Sequence, residues 1–252
     1  MRPATHFAPA LLSLAACASS AAAPSSPPTS PAPATSLAPS HAPAPDDPLH
    51  ALEQRLLSAR TIHLRVRVAT SGRIQSHFEG TVDLGEGQRA RFALQGAFGQ
   101  KDADVRFASD GAHMEGGPRG HSFAMDVAPA IREGVVLGFV RMGITHDLAV
   151  LSSGEPPAYI DGSARKHLEA VGFARAPGEA VRGAATEQWT WALYVDHQHS
   201  ADETLWVDAK SGLPVRRRVV VHFPEGDMED GEEYEELTLD APESEDTFRI
   251  GP

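Results

Sequence analysis

Histidine and carboxylate side chains that could hold a metal ion are concentrated near position 200. They lie in the segment Asp196-His197-Gln198-His199, with Asp202 three residues further on. Side chains at alternate positions of a strand share one face, and imidazole together with carboxylate suits zinc or another divalent ion. The spacing fixes no third histidine nearby, however, and a polar turn between two strands explains the same residues. We therefore predict no metal site, and keep metal binding at this stretch as an alternative.

Short motifs that match enzymes with a nucleophilic serine occur in the sequence, but the sequence around them does not fit those enzymes. Ser163 and Lys166 match S-x-x-K, and Lys210-Ser211-Gly212 matches K-[ST]-G, two motifs of the penicillin-recognising serine enzymes. Those enzymes need a large helical domain and a much longer separation between the motifs. The segment Gly85-Glu86-Gly87 joins two predicted strands, so it is a hairpin turn rather than a dinucleotide-binding loop. We predict a protein with no catalytic residues and no cofactor.

The single cysteine of the chain, Cys17, follows a short apolar run near the N-terminus. A basic residue, Arg2, followed by such a run has the shape of an export signal, and the run is too short to span a bilayer as a helix. The sequence Leu14-Ala15-Ala16-Cys17 resembles the bacterial lipobox, in which the cysteine is diacylated and becomes the new N-terminus. The resemblance implies that residues 1–17 are a lipoprotein signal peptide and that acyl chains such as palmitate attach to Cys17. An ordinary signal peptide with an incidental cysteine is the alternative.

The residues after Cys17 predict where the anchor lies and what separates it from the folded domain. Residue 18 is alanine rather than aspartate, and by resemblance to enteric sorting rules this favours an outer-membrane lipoprotein of the bacterial cell envelope, facing the periplasm or the cell surface. Residues 18–46 consist almost entirely of Ala, Ser, Thr and Pro. They cannot bury enough apolar surface to offset the entropy lost on ordering, so we predict a disordered, extended tether.

Composition limits what the remaining chain can be. The 252 residues leave room for one domain after the signal and tether, which we place at 47–252. One cysteine excludes an intramolecular disulfide and a cysteine-rich zinc site. The formal charge of −12 repels nucleic-acid phosphates, so nucleic acid is not a predicted partner.

Hydrophobic periodicity predicts an α+β, mostly β fold. A short helix begins at Asp47-Pro48, because Asp is a good cap, Pro suits the first turn, and leucines recur at helical spacing. Strict alternation from Ile62 to Val68 then predicts an antiparallel strand, and the same alternation returns in two series of strands, before and after position 150. Between them, residues 129–148 predict a helix or a pair of short helices. The acidic run from Glu225 to Glu236 is interpreted as a solvated loop, with Arg216 and Arg218 as cross-sheet ion-pair partners.

Several short segments resemble the LolA/LolB-like superfamily of bacterial lipoprotein carriers and related periplasmic lipid-binding lipoproteins. They are the opening helix and strand at 52–62, Phe78-Glu79-Gly80, Ser109-Asp110-Gly111 and residues 205–214. The resemblance covers roughly residues 47 to 250. It implies a single, unclosed, curved antiparallel sheet, or half-barrel, whose apolar concave face is covered by the N-terminal helix and a mid-chain helical lid, leaving a cavity for acyl chains.

The leading hypothesis is a non-enzymatic lipoprotein that binds a lipid or acyl chain in this cavity. The candidate ligand-binding residues are Leu137, Phe139, Trp189 and Trp191. Two alternatives stay open. Tightly packed helices would turn the same residues into an ordinary core, and the sheet could instead serve a periplasmic sensor or interaction lipoprotein that binds a protein partner.

Overall fold

The computed structural model describes residues 47–118, 122–152 and 167–250. The predicted signal peptide with Cys17, the tether at 18–46 and the Ser163–Lys166 motif lie outside these residues. The described chain forms three α-helices, α1 (Pro48–Ser58), α2 (Ile131–Arg141) and α3 (Ile144–Ser152), and a short 3-10 helix (Glu245–Phe248). Its strands are β1 (Ile62–Gly72), β2 (Ser76–Leu84), β3 (Arg89–Phe98), β4 (Lys101–Asp110), β5 (His113–Pro118), β6 (Phe123–Asp126), β7 (Leu168–Pro177), β8 (Thr186–Val195), β9 (Gln198–Asp208), β10 (Pro214–Val221) and β11 (Met228–Leu239).

All eleven strands belong to one antiparallel sheet in the order β6-β5-β4-β3-β2-β1-β11-β10-β9-β8-β7. Every neighbour in this order is also a neighbour in sequence except β1 and β11, which pair along their whole length and join two meanders. The outermost strands, β6 and β7, are not paired with each other, so the sheet is open. The predicted fold class, mostly β with one unclosed antiparallel sheet and helices at the N-terminus and mid-chain, is confirmed.

One face of the sheet carries the hydrophobic core. In β1, Ile62, Leu64, Val66 and Val68 are buried while Arg65 and Arg67 between them are exposed. This is the alternation of an antiparallel sheet with one packed face and one solvated face. The helices cover the packed face, α2 and α3 across β3, β4, β5 and β11, and α1 packs on α2.

The helical segments form where the sequence predicts them. Asp47 accepts a hydrogen bond from the Leu49 amide at 3.0 Å and Pro48 begins α1, which confirms the predicted cap. The mid-chain segment is a pair of short helices separated at Gly143. None of the helices in the described residues is long and apolar enough to cross a membrane.

The interpretation of the acidic run as a solvated loop is wrong from Met228 onward. Strand β11 begins at Met228, lies between β1 and β10, and buries Asp230 and Glu232. The acidic residues of the opposite parity face outward, and there the predicted pairs form: Glu229 with Arg218 at 2.8 Å and Glu233 with Arg216 at 3.8 Å. The acidic run therefore forms a central strand with a buried acidic face and an exposed, ion-paired acidic face.

Candidate functional site

Helix α2 lies between α1 and the sheet and is buried nearly all round. Its buried residues include Ile131, Val135, Val136, Leu137, Phe139 and Val140. A helix that is apolar on all sides lies between packed layers rather than on a surface. The interior of the protein therefore has three layers, and any ligand within it must lie against α2, α3 or the sheet.

A cavity of about 100 Å³ lies between α3 and the packed face of the sheet. Its wall is nearly all apolar, with Thr70, Ser76, Glu203 and Asp230 among its few polar members. The apolar wall comprises Val68, Phe78, Phe98, Met142, Leu148, Ala149, Leu193, Val195, Ala201, Val219, Val221, Phe223 and Met228, together with Ile74. A partly enclosed apolar surface of this kind suits a hydrocarbon ligand.

Beside the cavity, one buried guanidinium joins the sheet to the end of α2. Arg217 of β10 donates to Glu203 of β9 at 2.6 Å, and both side chains are fully buried. It also donates to the carbonyl oxygens of Phe139 and Val140 in the last turn of α2, both at 2.7 Å. A cation at a helix C-terminus satisfies free carbonyls and interacts favourably with the helix dipole.

The N-terminus of α3 is held by a carboxylate from the sheet. Glu232 of β11 accepts from the amides of Ile144 and Thr145 at 3.1 and 2.8 Å, and the Tyr234 hydroxyl donates to the same carboxylate. Gly143, with φ +87°, makes the turn before α3, and a Cβ there would lie 2.5 Å from Glu232 Oε1. Only glycine fits this turn without displacing the carboxylate.

The crossing of α2 and α3 is equally close. A Cβ at Gly138 of α2 would lie 2.3 Å from Asp147 Oδ1 of α3. The glycines of the helical segment could be interpreted from sequence either as hinges of a lid or as points of close packing. At Gly138 and Gly143 the structure shows close packing.

Burial dominates the electrostatics of this interior. It raises the pKa of Asp147 to about 6, with His146 opposing the shift. It raises the pKa of Glu203 to about 7 even though the charge of Arg217 opposes it, and it raises the pKa of Asp230 well above the ordinary value, assisted by the charge of Glu232. Glu203 and Asp230, which line the cavity, therefore hold protons more strongly than exposed carboxyl groups.

The four predicted ligand-binding residues are all in the core but do not line the cavity. Leu137 and Phe139 are buried in α2, and the Phe139 ring packs edge-on against Tyr234 at 5.0 Å. Trp189 and Trp191 are buried on β8, where both rings contact Phe173. Trp191 lies opposite Glu203, which does line the cavity.

Sequence reasoning missed the buried charged residues. Alternation along β10 places Arg217 inward with Val219, and alternation along β11 places Glu232 inward with Tyr234. A charged residue at an inward position is the available signal, because such a residue needs a buried partner. The partners of Arg217 on α2 and of Glu232 on α3 are distant in sequence and could not be inferred from spacing.

The outer face of the sheet also carries two open depressions, of about 1070 and 1120 Å³. They share Arg67, Glu79 and Asp104. Arg67 pairs with Glu235 at 2.7 Å and with Glu79 at 3.6 Å. The surface around Arg67 is ion-paired and both depressions are open, whereas the inner cavity exposes almost no polar surface, so the inner cavity is the better candidate for an apolar ligand.

No protein-family model matches the chain, and no curated protein matches it. Among solved structures, MucB is 16% identical with a TM-score of 0.40, the match covering 81% of this chain and 62% of that one. The MucA/MucB complex of Pseudomonas aeruginosa is 15% identical with a TM-score of 0.41, and the match covers 81% of this chain and 60% of that one. A LolA superfamily protein of Nitrosomonas europaea is 9% identical with a TM-score of 0.28, and the match covers 81% of this chain and 96% of that one. The chain spans about six tenths of the length of the MucB chains it matches. The matches also include a protein of the superfamily that segments of this sequence resemble.

Proposed function

We propose that this protein binds a hydrophobic ligand, the acyl chain of a lipid, between α3 and the packed face of its sheet, without catalysing a reaction. The observation that carries the proposal is the apolar cavity of about 100 Å³ at that interface. Most of its exposed wall is hydrocarbon, which favours an apolar occupant over a polar one.

The cavity must enlarge to hold an acyl chain. Pockets that bind small molecules measure about 300–1,000 Å³, so the cavity is too small as it stands. Helix α3 is the movable wall, because it has only nine residues and a helix that short is marginal without tertiary contacts. Its displacement would extend the cavity toward α2 and β8, where Leu137, Phe139, Trp189 and Trp191 are the proposed additional walls.

The N-terminal sequence supports an envelope location for this activity. Acylated Cys17 would hold the chain at the outer membrane, since two acyl chains give stable attachment where one gives only marginal attachment. Residues 18–46 would let the domain at 47–252 work away from the lipid surface, because proline-rich chains extend by up to about 3.1 Å per residue.

A second candidate, binding of a protein partner, has one observation in its favour. Strand β7 lies at the end of the sheet order and exposes Val171, whose side chain is 46% accessible. An extended polypeptide can add to such an edge. The bulge between Val171 and Ala174 disrupts the regular edge and limits how much of it a partner strand could pair with.

Fluorescent fatty-acid titration of the full chain carrying Cys17→Ser, which cannot be acylated, tests the leading proposal. Ala149 lines the cavity from α3, so Ala149→Leu should fill it and weaken binding at least tenfold. Ala176→Leu, on the exposed edge strand β7, makes the same change in side-chain size outside the cavity and should leave binding unchanged. Absence of saturable uptake by the parent, or equal uptake by the Ala149→Leu variant, would contradict the proposal.

A further inference from the structure

We propose that His199, Asp202 and His222 form a binding site for a divalent transition-metal ion, with zinc as the best fit. One ligand atom from each residue lies within 4.8 Å of the other two. Nε2 of His199 is 3.0 Å from Asp202 Oδ1, and Nε2 of His222 is 3.0 Å from Asp202 Oδ2. Two imidazole nitrogens and a carboxylate oxygen are a common zinc donor set.

The sheet itself brings the three residues together. Along β8 and β9, Tyr194 pairs with His199 but Leu193 pairs with Ala201, so Ser200 is an extra residue at a β-bulge. The bulge turns His199 to the same face as Asp202 although the two are three residues apart, as bulges commonly do to re-aim a side chain. The third residue, His222, follows β10, and its amide donates to the Ser200 carbonyl at 2.9 Å. The cluster therefore rests on backbone pairing rather than on a free loop.

Neighbouring side chains fix the orientation of both rings. Asp227 Oδ1 lies 3.1 Å from Nδ1 of His222, which leaves Nε2 directed toward Asp202. Metal-ligating histidines usually donate their second ring nitrogen to a carboxylate in this way, which fixes the tautomer and the ring orientation. The ring of His199 stacks on Tyr194, with centroids 5.3 Å apart.

Distances and exposure suit an ion with open coordination positions. Zinc lies about 2.0–2.2 Å from nitrogen and oxygen ligands, so two ligand atoms of one ion lie at most about 4.4 Å apart, and the side chains must move closer wherever their ligand atoms are separated by up to 4.8 Å. The side chains of His199, Asp202 and His222 are 40, 58 and 31% exposed. Such exposed groups can make that adjustment, and water can complete the coordination.

The neighbouring histidine in the sequence does not belong to the cluster. Asp196 and His197 occupy left-handed backbone positions in the turn between β8 and β9, and His197 Nδ1 lies 2.6 Å from Glu169. The alternative metal stretch considered from sequence thus contributes His199 and Asp202, and the fold supplies His222 in place of His197. The cluster is independent of the proposed ligand cavity, which lies on the opposite face of β9 and β10, where Ala201 and Val221 point inward.

Isothermal titration of the chelator-treated full chain carrying Cys17→Ser with zinc chloride tests the site. The parent should bind one zinc ion per site with saturation, and His199→Ala or His222→Ala should weaken binding at least tenfold. Asp227→Asn should weaken it by about tenfold, as loss of such a supporting carboxylate does. His197→Ala is the matched control and should bind zinc like the parent.

Calcium and thermal unfolding give independent readings. Calcium prefers oxygen ligands, so the site should discriminate strongly against it, and zinc should raise the Tm of the parent but not of the His199→Ala/His222→Ala double variant. The double variant should retain the parent's Tm in chelator, which shows that it folds. Loss of zinc selectivity over calcium, or equal zinc binding by parent and double variant, would overturn the proposal and leave a hydrogen-bonded surface cluster only.

Discussion

At the scale of single residues, the interior is organised by charges as much as by apolar packing. Arg217 compensates Glu203 and closes the end of α2, while Glu232 closes the start of α3. Arg132 plays the same role for α1, donating to the Leu56 carbonyl at 3.2 Å and to that of Ala59. Groups buried in this way are strongly destabilising when one partner is removed, because the other is left uncompensated.

Arg217→Met should destabilise the protein by about 3–5 kcal/mol, since it leaves Glu203 buried without its partner. The double variant Arg217→Met/Glu203→Leu should recover most of that loss, because it removes the uncompensated charge. Arg218→Met, which breaks an exposed pair with Glu229, is the control and should cost less than about 1 kcal/mol. Urea unfolding measures all three, and a double variant no more stable than Arg217→Met would refute this account.

Asp147 should make stability depend on pH between about 4 and 7. Its pKa is raised to about 6 in the folded protein, so the folded state holds the proton more tightly than the unfolded state. The free energy of unfolding should therefore fall as pH rises through this window, by up to about 3 kcal/mol from this group. In Asp147→Asn that part of the fall should vanish, whereas Asp126→Asn, at a carboxylate that is 96% exposed, should retain the parental profile. Parallel profiles for Asp147→Asn and the parent would show that burial of Asp147 has no such effect.

At the scale of elements, α2 and α3 are separate helices because Gly143 and Glu232 fit each other. The left-handed backbone at Gly143 turns the chain, and the carboxylate occupies the space that a Cβ would need. The two helices are also in contact at Gly138 and Asp147. Movement of α3 therefore requires release of the Glu232 cap rather than bending within a continuous helix.

Gly143→Ala should destabilise α3 by more than backbone strain alone. Gly183 has a similar φ, +81°, and a Cβ added there would have no atom within 4 Å, so Gly183→Ala should show only the strain of a left-handed alanine, about 1–2 kcal/mol. Gly143→Ala should cost more and should speed hydrogen exchange of the Thr145 amide, which Glu232 caps. Equal losses of stability in the two variants, with unchanged exchange at Thr145, would mean that the cap does not hold α3.

Prediction from sequence succeeded where the hydrophobic periodicity is local. It failed where a buried charge is compensated by residues far away in the sequence. The Asp47 cap, the strand from Ile62 and the pair of mid-chain helices follow from residues close together in the chain. The first part of β11, residues 228–233, is interpreted from sequence as a loop because Asp230 and Glu232 look solvent-exposed in an acidic run. Their burial is stabilised by groups on α3 and β10, and the third member of the proposed metal site, His222, reaches its partners only through strand pairing and a bulge.

At the scale of the whole molecule, the open sheet and its helices partly enclose a small apolar space beside Glu203 and Asp230, whose pKa values burial raises. A void of this size is not expected in a tightly packed core, because filling it with side-chain atoms usually stabilises a protein. In the proposed function, this space is where an acyl chain would begin to displace α3. Occupation of the interior by lipid is therefore the central claim.

Native mass spectrometry with organic extraction tests this claim most directly. The full chain carrying Cys17→Ser would be purified from a bacterial host without detergent, so that bound lipid is neither covalent nor exchanged for detergent. We predict a species heavier than the chain by the mass of one lipid, released by extraction and reduced in the Ala149→Leu variant. A clean mass for the chain alone, unchanged after incubation with fatty acid, would contradict the claim and show the interior to be a packed core.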